Sequence, residues 1–282
     1  MPTRASASPV DKALWFIESH FAEEIMLEDI AEVAGVSRYH LSRAFGLSTG
    51  YTISQYLRGR RLTEAARALA AGAPDILAVA LDAGYGSHEA FTRAFRDQFG
   101  HTPEGIRAQR TLDNITLLEP IAMDETVFEN IEPVRFEDGK TMLMVGLSER
   151  CANNMNIPAQ WQRFVPHLGH IPGQIGWTTF GVICNGDDAG NFDYMCAVEV
   201  KDFSRVPPEL STLRIPEQHY AVFHHGGHIS TIKQTFSTIF NKWLPASEYK
   251  TSGGPEFERY TQAFNPATGN GGVEIWIPVI GK

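Results

Sequence analysis

The first hundred residues contain one pattern twice. "AGVSRYHLSRAFGLSTG" (34–50) and "AGYGSHEAFTRAFRDQFG" (83–100) align with one inserted residue, and an Arg-Ala-Phe triplet and a closing glycine recur 50 positions apart. Each copy follows a short stretch that places apolar residues on one helical face, "LEDIAEVAG" (27–35) and "PDILAVALDAG" (74–84). Because a duplicated unit folds the same way twice, this repeat restricts the fold more than any other feature.

Glycine and serine at fixed places define the unit that is repeated. Gly35 and Gly84 can adopt the left-handed conformation that ends a helix. Ser37 and Ser87 are suitable N-caps for the helix that follows. The pattern predicts two helix-turn-helix units, joined by a long helix over 54–72.

The second helix of a helix-turn-helix reads base edges in the major groove with its N-terminal part. The residues at those places are Arg38, Tyr39, Ser42 and Arg43 in the first unit and His88, Glu89, Thr92 and Arg93 in the second. Arg43 suits guanine and Glu89 suits the cytosine amine. The alternative for Arg43 and Arg93 is that each bridges two helices.

Three further arginines, Arg58, Arg60 and Arg61, lie on the joining helix and are expected to be phosphate contacts or solvated charges. The net charge of −9 is unevenly spread, since residues 1–110 hold 12 Lys and Arg against 13 Asp and Glu. The remaining 172 residues therefore carry −8. An acidic second half is not a typical nucleic-acid surface, so DNA contact is expected in the first half alone.

The second half has the patterning of strands. Strands are predicted over 141–147, 175–184, 192–200, 219–225, 255–264 and 273–279, and helices over 157–168 and 229–244. The order is β-α-β-β twice, which folds economically as one antiparallel sheet with both helices on one face. The sequence thus predicts a multidomain chain: an all-α tandem helix-turn-helix domain (1–110), a linker (111–130), and an α+β domain of two βαββ repeats (131–282).

Two resemblances refine these expectations. The motif "A…GY.S…F.RAF…G.TP…R" over about residues 10–110 resembles the DNA-binding domain of AraC/XylS-type transcription regulators, in the Rob-like arrangement with this module first. The stretches "AVFHHGGHISTIKQTFSTIFNKWLP", "PEFERY" and "VEIWIPV" resemble GyrI-like effector-binding domains. The resemblance implies binding to DNA as a monomer or weak dimer.

In GyrI-like domains the ligand, often a lipophilic cation, lies in an aromatic cleft over a buried glutamate, and Glu258 matches that position. The candidate effector-binding residues are Trp177, Tyr220, Glu258, Tyr260 and Trp276. Burial among rings disfavours the ionised carboxylate, so the pKa of Glu258 is expected to rise, and a cation would offset this cost. Glu256 and Glu274 are expected to be solvated.

These observations predict a DNA-binding transcription regulator that responds to a small, lipophilic or cationic effector and contacts RNA polymerase. Neither a cofactor nor enzyme activity is expected. The first alternative is a hydrolase in which Glu258 acts as base and Tyr260 orients a water. The second is a constitutive activator whose C-terminal domain binds a protein.

The segment "FHHGGHIS" (223–230) raises the question of a metal site. His224 and His225 are adjacent on a strand and point to opposite faces, and His228 follows a glycine turn. No Asp, Glu or Cys lies nearby in sequence, so no metal is expected. Three unpaired cysteines, a polar N-terminus and the lack of a run of ~18 apolar residues predict a cytoplasmic protein without membrane contact.

Overall fold

The computed structural model describes residues 8–121, 131–151, 157–187 and 190–282. Residues 122–130 of the predicted linker lie outside this description, as do two residues of the loop at 185–191. Contacts between backbones divide the chain into two compact units. The first draws on Met1–Gly35 and Tyr51–Thr126, and the second on Val36–Gly50 and Val127–Lys282.

Between residues 8 and 110 the structure describes seven helices. They are α1 (Pro9–His20), α2 (Leu27–Ala34), α3 (Arg38–Thr49), α4 (Ile53–Ala70), α5 (Ile76–Asp82), α6 (His88–Phe99) and α7 (Pro103–Gln109). Gly35 and Gly84 have φ values of 74° and 81°, as the repeat predicts. Ser37 and Ser87 cap α3 and α6 by accepting hydrogen bonds from backbone N–H groups. By its contacts, α3 belongs to the second unit.

One apolar core cluster of the first unit lies between α4, α5, α6 and α7. On α6, Phe91, Phe95 and Phe99 are spaced four residues apart and therefore lie on one face. Their rings contact one another with centroids 5.5 and 4.8 Å apart. Leu62 and Ile106 pack into the same core.

Arg60 is a structural residue, and the prediction of a phosphate contact or solvated charge is wrong for it. Its side chain is 3% exposed, because Nε donates to Glu18 at 2.9 Å and Nη1 donates to the carbonyl of Leu118 at 2.8 Å. Arg61 is half-buried and donates to the backbone carbonyl of Phe21. Arg58 is exposed, as predicted for a charge on the surface.

The described strands of the second unit form one antiparallel sheet. Its strands are β1 (Arg135–Gly139), β2 (Met142–Cys151), β3 (Gln174–Cys184), β4 (Phe192–Val200), β5 (Ser211–Ile215), β6 (Gln218–His225), β7 (Tyr249–Thr251), β8 (Glu256–Tyr260) and β9 (Val273–Gly281). The order is β1-β6-β9-β8-β3-β4-β2-β5, and β7 pairs with β9. The central β3–β8 pair joins the two predicted repeats.

Each repeat carries one helix after its first strand. The first is α8 (Ile157–Phe164), and the second is α9 (Ile232–Thr238), which continues as a π-helical turn (Ile239–Trp243) and α10 (Leu244–Ala246). The sequence missed β1, β5 and β7. Strand β1 precedes the first repeat but pairs with β6 of the second. Strand β5 precedes the second repeat but pairs with β2 of the first.

Both helices pack on one face of the sheet, which also carries Glu256 and Glu258. On this face Gln160 of α8 donates to the carbonyls of Leu147 and Tyr194 at 2.8 and 2.9 Å. The opposite face carries an aromatic cluster of Phe180, Tyr220, Phe257 and Trp276. Among the residues described, no helix combines the length and the apolar character that a membrane span needs.

Candidate functional site

Glu258 is held in the middle of the sheet by two tyrosines. It lies on β8 with 5% of its surface exposed, and its Oε2 accepts hydrogen bonds from Tyr194 at 2.8 Å and Tyr260 at 2.7 Å. Trp161 of α8 donates to the Tyr194 hydroxyl at 3.1 Å. It also contacts the Tyr260 ring edge-on, with the ring centroids 5.1 Å apart. The carboxylate therefore lies among aromatic rings whose hydroxyls donate to it.

The neighbouring strand approaches this carboxylate at a glycine. Gly181 of β3 pairs with Glu258 across the sheet. A Cβ at this position would lie 2.6 Å from Glu258 Oε2. Because residue 181 has no side chain, the Tyr194 hydroxyl can approach the Glu258 carboxylate.

Burial dominates the electrostatics of this group. It raises the pKa of Glu258, and the hydrogen bonds from Tyr260 and Tyr194 oppose the rise only in part. Burial, followed by the charge of Glu258, also raises the pKa of both tyrosines well above its usual value. The tyrosines therefore remain neutral donors at neutral pH, and a cation beside Glu258 would stabilise its ionised form.

Glu256 lies two residues earlier on the same face, and its predicted solvation is wrong. The side chain is 1% exposed. Its two oxygens accept hydrogen bonds from Nε and Nη2 of Arg43, both at 3.1 Å. Oε1 also accepts from the Tyr39 hydroxyl at 2.5 Å. Glu274 is half-buried and paired with arginine, so its predicted solvation is also wrong. Burial raises the pKa of Glu274, but hydrogen bonds from Arg135 and Arg259 outweigh this effect and lower the pKa to about 2.

Three phenyl rings complete the surroundings of Arg43. Its guanidinium carbon lies 4.9 Å from the ring centroid of Phe192 and 5.8 Å from those of Phe236 and Phe240. We call Glu256 and these three rings the Arg43 cage. Arg43 itself is 9% exposed, so an ion pair and three cation–π contacts are formed away from water.

Helix α3 is seated along α9 and the π-helical turn by further polar contacts. His40 Nε2 donates to the carbonyl of Phe240. Ser48 Oγ lies 3.2 Å from Ser237 Oγ and accepts from Asn241 at 3.0 Å. These contacts run from the first to the last turn of α3.

The other candidates for base reading differ in exposure. Arg38, Glu89 and Arg93 are exposed. The Nε2 atom of His88 lies 3.2 Å from Oε1 of Glu104. In the part of the chain that the structure describes, the hydroxyls of Ser42 and Thr92 are buried without a hydrogen-bond partner, so neither faces solvent. The alternative kept open for Arg43, a bridge between helices, is closer to its observed pairing, although the partner Glu256 lies on a strand.

The five predicted effector residues do not form one cluster. Tyr260 lies with Glu258, but Tyr220 and Trp276 belong to the aromatic cluster on the opposite face of the sheet. Trp177 is 71% exposed and lies beside Gly169. Sequence reasoning missed Trp161 and Tyr194 because they lie on other elements of the first repeat. The alternation of "FDYMCAVEV" indicates that residue 194 lies on a buried face, but it does not indicate that Tyr194 pairs with Glu258.

Two of the three histidines of "FHHGGHIS", His225 and His228, have protein partners of their own. His224 is exposed and His225 is buried, in keeping with opposite faces of β6. His225 Nδ1 lies 2.8 Å from Thr235 Oγ1, and Nε2 lies 3.1 Å from the carbonyl of His228. Within the described ranges, no three side chains of metal-ligating type come together.

Comparison with known families identifies two domains in the sequence. Residues 132–280 match the GyrI-like small molecule binding domain. The chain belongs to the GyrI-like family. Residues 30–109 match a helix-turn-helix domain, so this GyrI-like protein is an AraC-type DNA-binding regulator with its helix-turn-helix module first and its small-molecule binding domain second.

Two relatives align with this GyrI-like chain over nearly its whole length. Transcriptional regulator Rob of Salmonella typhimurium is 26% identical over 269 residues, which cover 92% of this chain and 92% of the relative. Right origin-binding protein of Escherichia coli is 26% identical over 282 residues, covering 95% and 96%. The solved structure of SAV2435 bound to tetraphenylphosphonium is 19% identical, has a TM-score of 0.44, and covers 52% of this chain and 93% of that one.

Proposed function

We propose that the GyrI-like domain binds a lipophilic cation beside Glu258 and that this ligand controls transcription through the DNA-binding module. The observation that supports the proposal most is the buried Glu258 carboxylate, whose described hydrogen-bond donors are the phenols of Tyr194 and Tyr260. A buried carboxylate without a cation of its own is costly, so an apolar cation gains both charge neutralisation and ring contact.

The DNA-binding part of the proposal assigns base contacts to eight side chains on α3 and α6. They are Arg38, Tyr39, Ser42, Arg43, His88, Glu89, Thr92 and Arg93. Exposed Arg58 is assigned to a phosphate, which fixes the position of the protein but carries no sequence information. RNA polymerase is the proposed partner once the regulator is on DNA, in the cytoplasm and as a monomer or weak dimer.

The test uses tetraphenylphosphonium as the probe and the full-length chain. Calorimetric titration should show binding of this cation and not of triphenylphosphine oxide, a neutral ligand with similar rings. Glu258→Gln should abolish the difference between the two ligands, because only the charge of the carboxylate is removed. Glu217→Gln, which changes an exposed carboxylate in the same domain, is the matched control. Equal binding of both ligands to the unaltered protein would refute the proposal.

The hydrolase alternative uses the same carboxylate in another role. The raised pKa of Glu258, which burial causes, suits a general base, and Tyr260 lies within hydrogen-bond distance. This reading predicts turnover of a strained electrophile such as an epoxide by the full-length protein, and its loss in Glu258→Gln. A cation that binds tightly and is recovered unchanged supports the regulator instead.

A further inference from the structure

The Arg43 cage has the composition of a cation-binding site. Glu256 supplies a buried carboxylate, and the three phenyl rings lie within 6 Å of the guanidinium carbon. An aromatic ring within ~6 Å of a cation attracts it through the ring quadrupole, more strongly where water is excluded. The cation in this site belongs to the protein's own candidate DNA-reading helix.

Arg43 cannot occupy the cage and read a base at the same time. Its Nε and Nη2 donate to the two oxygens of Glu256. Arginine reads guanine through the same fork of N–H groups. Tyr39 is also engaged, since its hydroxyl donates to Glu256. Two of the four candidate base-reading side chains of α3 are therefore satisfied inside the second unit.

The cage lies next to the proposed ligand site. Glu256 and Glu258 are two residues apart on β8, so they point to the same face and their Cα atoms are about 7 Å apart. The positive charge of Arg43 already influences Glu258, since it favours the ionised carboxylate. This separation is shorter than the ~8 Å over which salt screens a charge at physiological ionic strength. A second cation on this face would repel Arg43 and compete for the same carboxylates.

We propose that the cage is a cation site with two mutually exclusive occupants, Arg43 and a lipophilic cationic ligand that reaches from Glu258 to Glu256, and that the ligand frees helix α3 for DNA. The inference rests on the proposed function for the class of ligand. It adds the place of competition, Glu256 and its rings, and the element that is released. Linkage requires the reverse effect as well: DNA that captures α3 raises the affinity for the cation by the same factor.

Hydrogen exchange of the full-length protein tests the release directly. Saturating tetraphenylphosphonium should increase amide exchange in α3 by tenfold or more, while α6 is unchanged and serves as the internal control. Glu256→Gln should produce the same increase without ligand, because the guanidinium loses its anionic partner. Glu274→Gln is the matched control, since it removes another arginine-paired carboxylate of the same sheet and should leave α3 unchanged.

DNA binding gives the second readout. A duplex selected from a random pool by the full-length protein with tetraphenylphosphonium should bind at least tenfold more weakly without the cation. Glu256→Gln should bind it tightly in both conditions. Arg43→Lys keeps the charge but loses the planar fork, so its α3 should exchange faster than in the unaltered protein; it replaces Glu256→Gln if that variant does not fold by circular dichroism.

The outcomes separate this inference from the proposed function. If tetraphenylphosphonium binds while α3 exchange and DNA affinity stay the same, the inference is overturned and the proposed function remains. If the cation does not bind, the proposed function fails and the cation loses its place as second occupant. Unchanged α3 exchange in Glu256→Gln overturns the role of the cage itself, whatever the cation does.

Discussion

Glu256 and Glu258 point to the same face of β8, yet they have different partners. Glu256 is bound to the guanidinium of Arg43, whereas Glu258 accepts hydrogen bonds from the neutral hydroxyls of Tyr194 and Tyr260. An ion-paired carboxylate is already neutralised, whereas a carboxylate with phenol donors retains a charge that a ligand can neutralise. The strand therefore presents two anionic positions of different character to one face.

Glu258→Gln is expected to weaken binding of tetraphenylphosphonium by about tenfold to a hundredfold, equivalent to about 1.4–2.8 kcal/mol. Affinity of the unaltered protein should also fall with decreasing pH. The pKa of the free carboxyl is raised by burial, and a bound cation lowers it, so affinity is complete above the raised pKa and declines below it. Calorimetry between pH 5 and pH 8 measures this, and a pH-independent affinity in the unaltered protein would contradict it.

Much of the fold follows from periodicity and from residues that stop helices. The 50-residue repeat, Gly35 and Gly84 locate both helix-turn-helix units because local conformation alone decides these places. The βαββ order also follows from local pattern. Strands β1 and β5 were missed, since each is short and is stabilised by an edge of the other repeat, which no local pattern reveals.

The site was less accessible to sequence reasoning. Glu258 and Tyr260 are two apart on one strand, so their common face could be predicted. The partners of Glu256 lie more than 200 positions away on α3, and such a pairing leaves no trace in composition or spacing. The eight positions of the two helix-turn-helix units look equivalent in sequence, whereas Arg43 is buried and Arg93 is exposed.

Gly181→Ala should disrupt the group around Glu258. The new methyl group would overlap the Tyr194 hydroxyl and lie 2.6 Å from Glu258 Oε2, so both must shift. Overpacking of this kind costs about 1–3 kcal/mol, and the loss of geometry should abolish preference for the cationic ligand. Urea unfolding and titration with both ligands measure the two effects. Gly281→Ala, where a Cβ would meet no atom within 4 Å, should be silent in both.

His40 should make the second unit less stable at acid pH. Burial lowers the pKa of this imidazole to about 4, although the hydrogen bond to Phe240 opposes the shift and Lys282 and Glu256 act in opposite directions. An exposed imidazole has a pKa of ~6.5, so the unfolded state binds the proton more readily. The contribution is complete above ~6.5 and is lost as the pH falls, by roughly 2 kcal/mol at pH 5.

Urea unfolding of the full-length protein at pH 7.5 and pH 5 measures this loss. His40→Gln can still donate to the carbonyl of Phe240 but does not titrate, so its free energy of unfolding should fall less between the two pH values. His170→Gln, at an exposed position, should behave like the unaltered protein. Identical losses in the unaltered protein and His40→Gln would disprove the role of His40.

Arg60 and Arg58 should separate stability from DNA affinity. Arg60→Met removes the cationic donor of Glu18, which still accepts from the Tyr56 hydroxyl, and it removes the donor of the Leu118 carbonyl. It should cost the first unit about 2–3 kcal/mol. Arg58→Met changes an exposed charge, so stability should hold while DNA affinity falls equally for all sequences. The slope of log affinity against log salt should become less steep by about 1. Thermal unfolding and titrations at several salt concentrations measure both.

Arg93→Ala tests base reading in the second helix-turn-helix unit. Arg93 is exposed, whereas Arg43, at the same position of the first unit, is buried. A lost bidentate contact should reduce affinity for the selected duplex by about tenfold to a hundredfold and relax specificity at one base pair. Arg96→Ala, three residues further along α6 and also exposed, is the comparison. Binding to a panel of single base-pair variants distinguishes them, since an equal loss across the panel for Arg93→Ala would assign it to a phosphate instead.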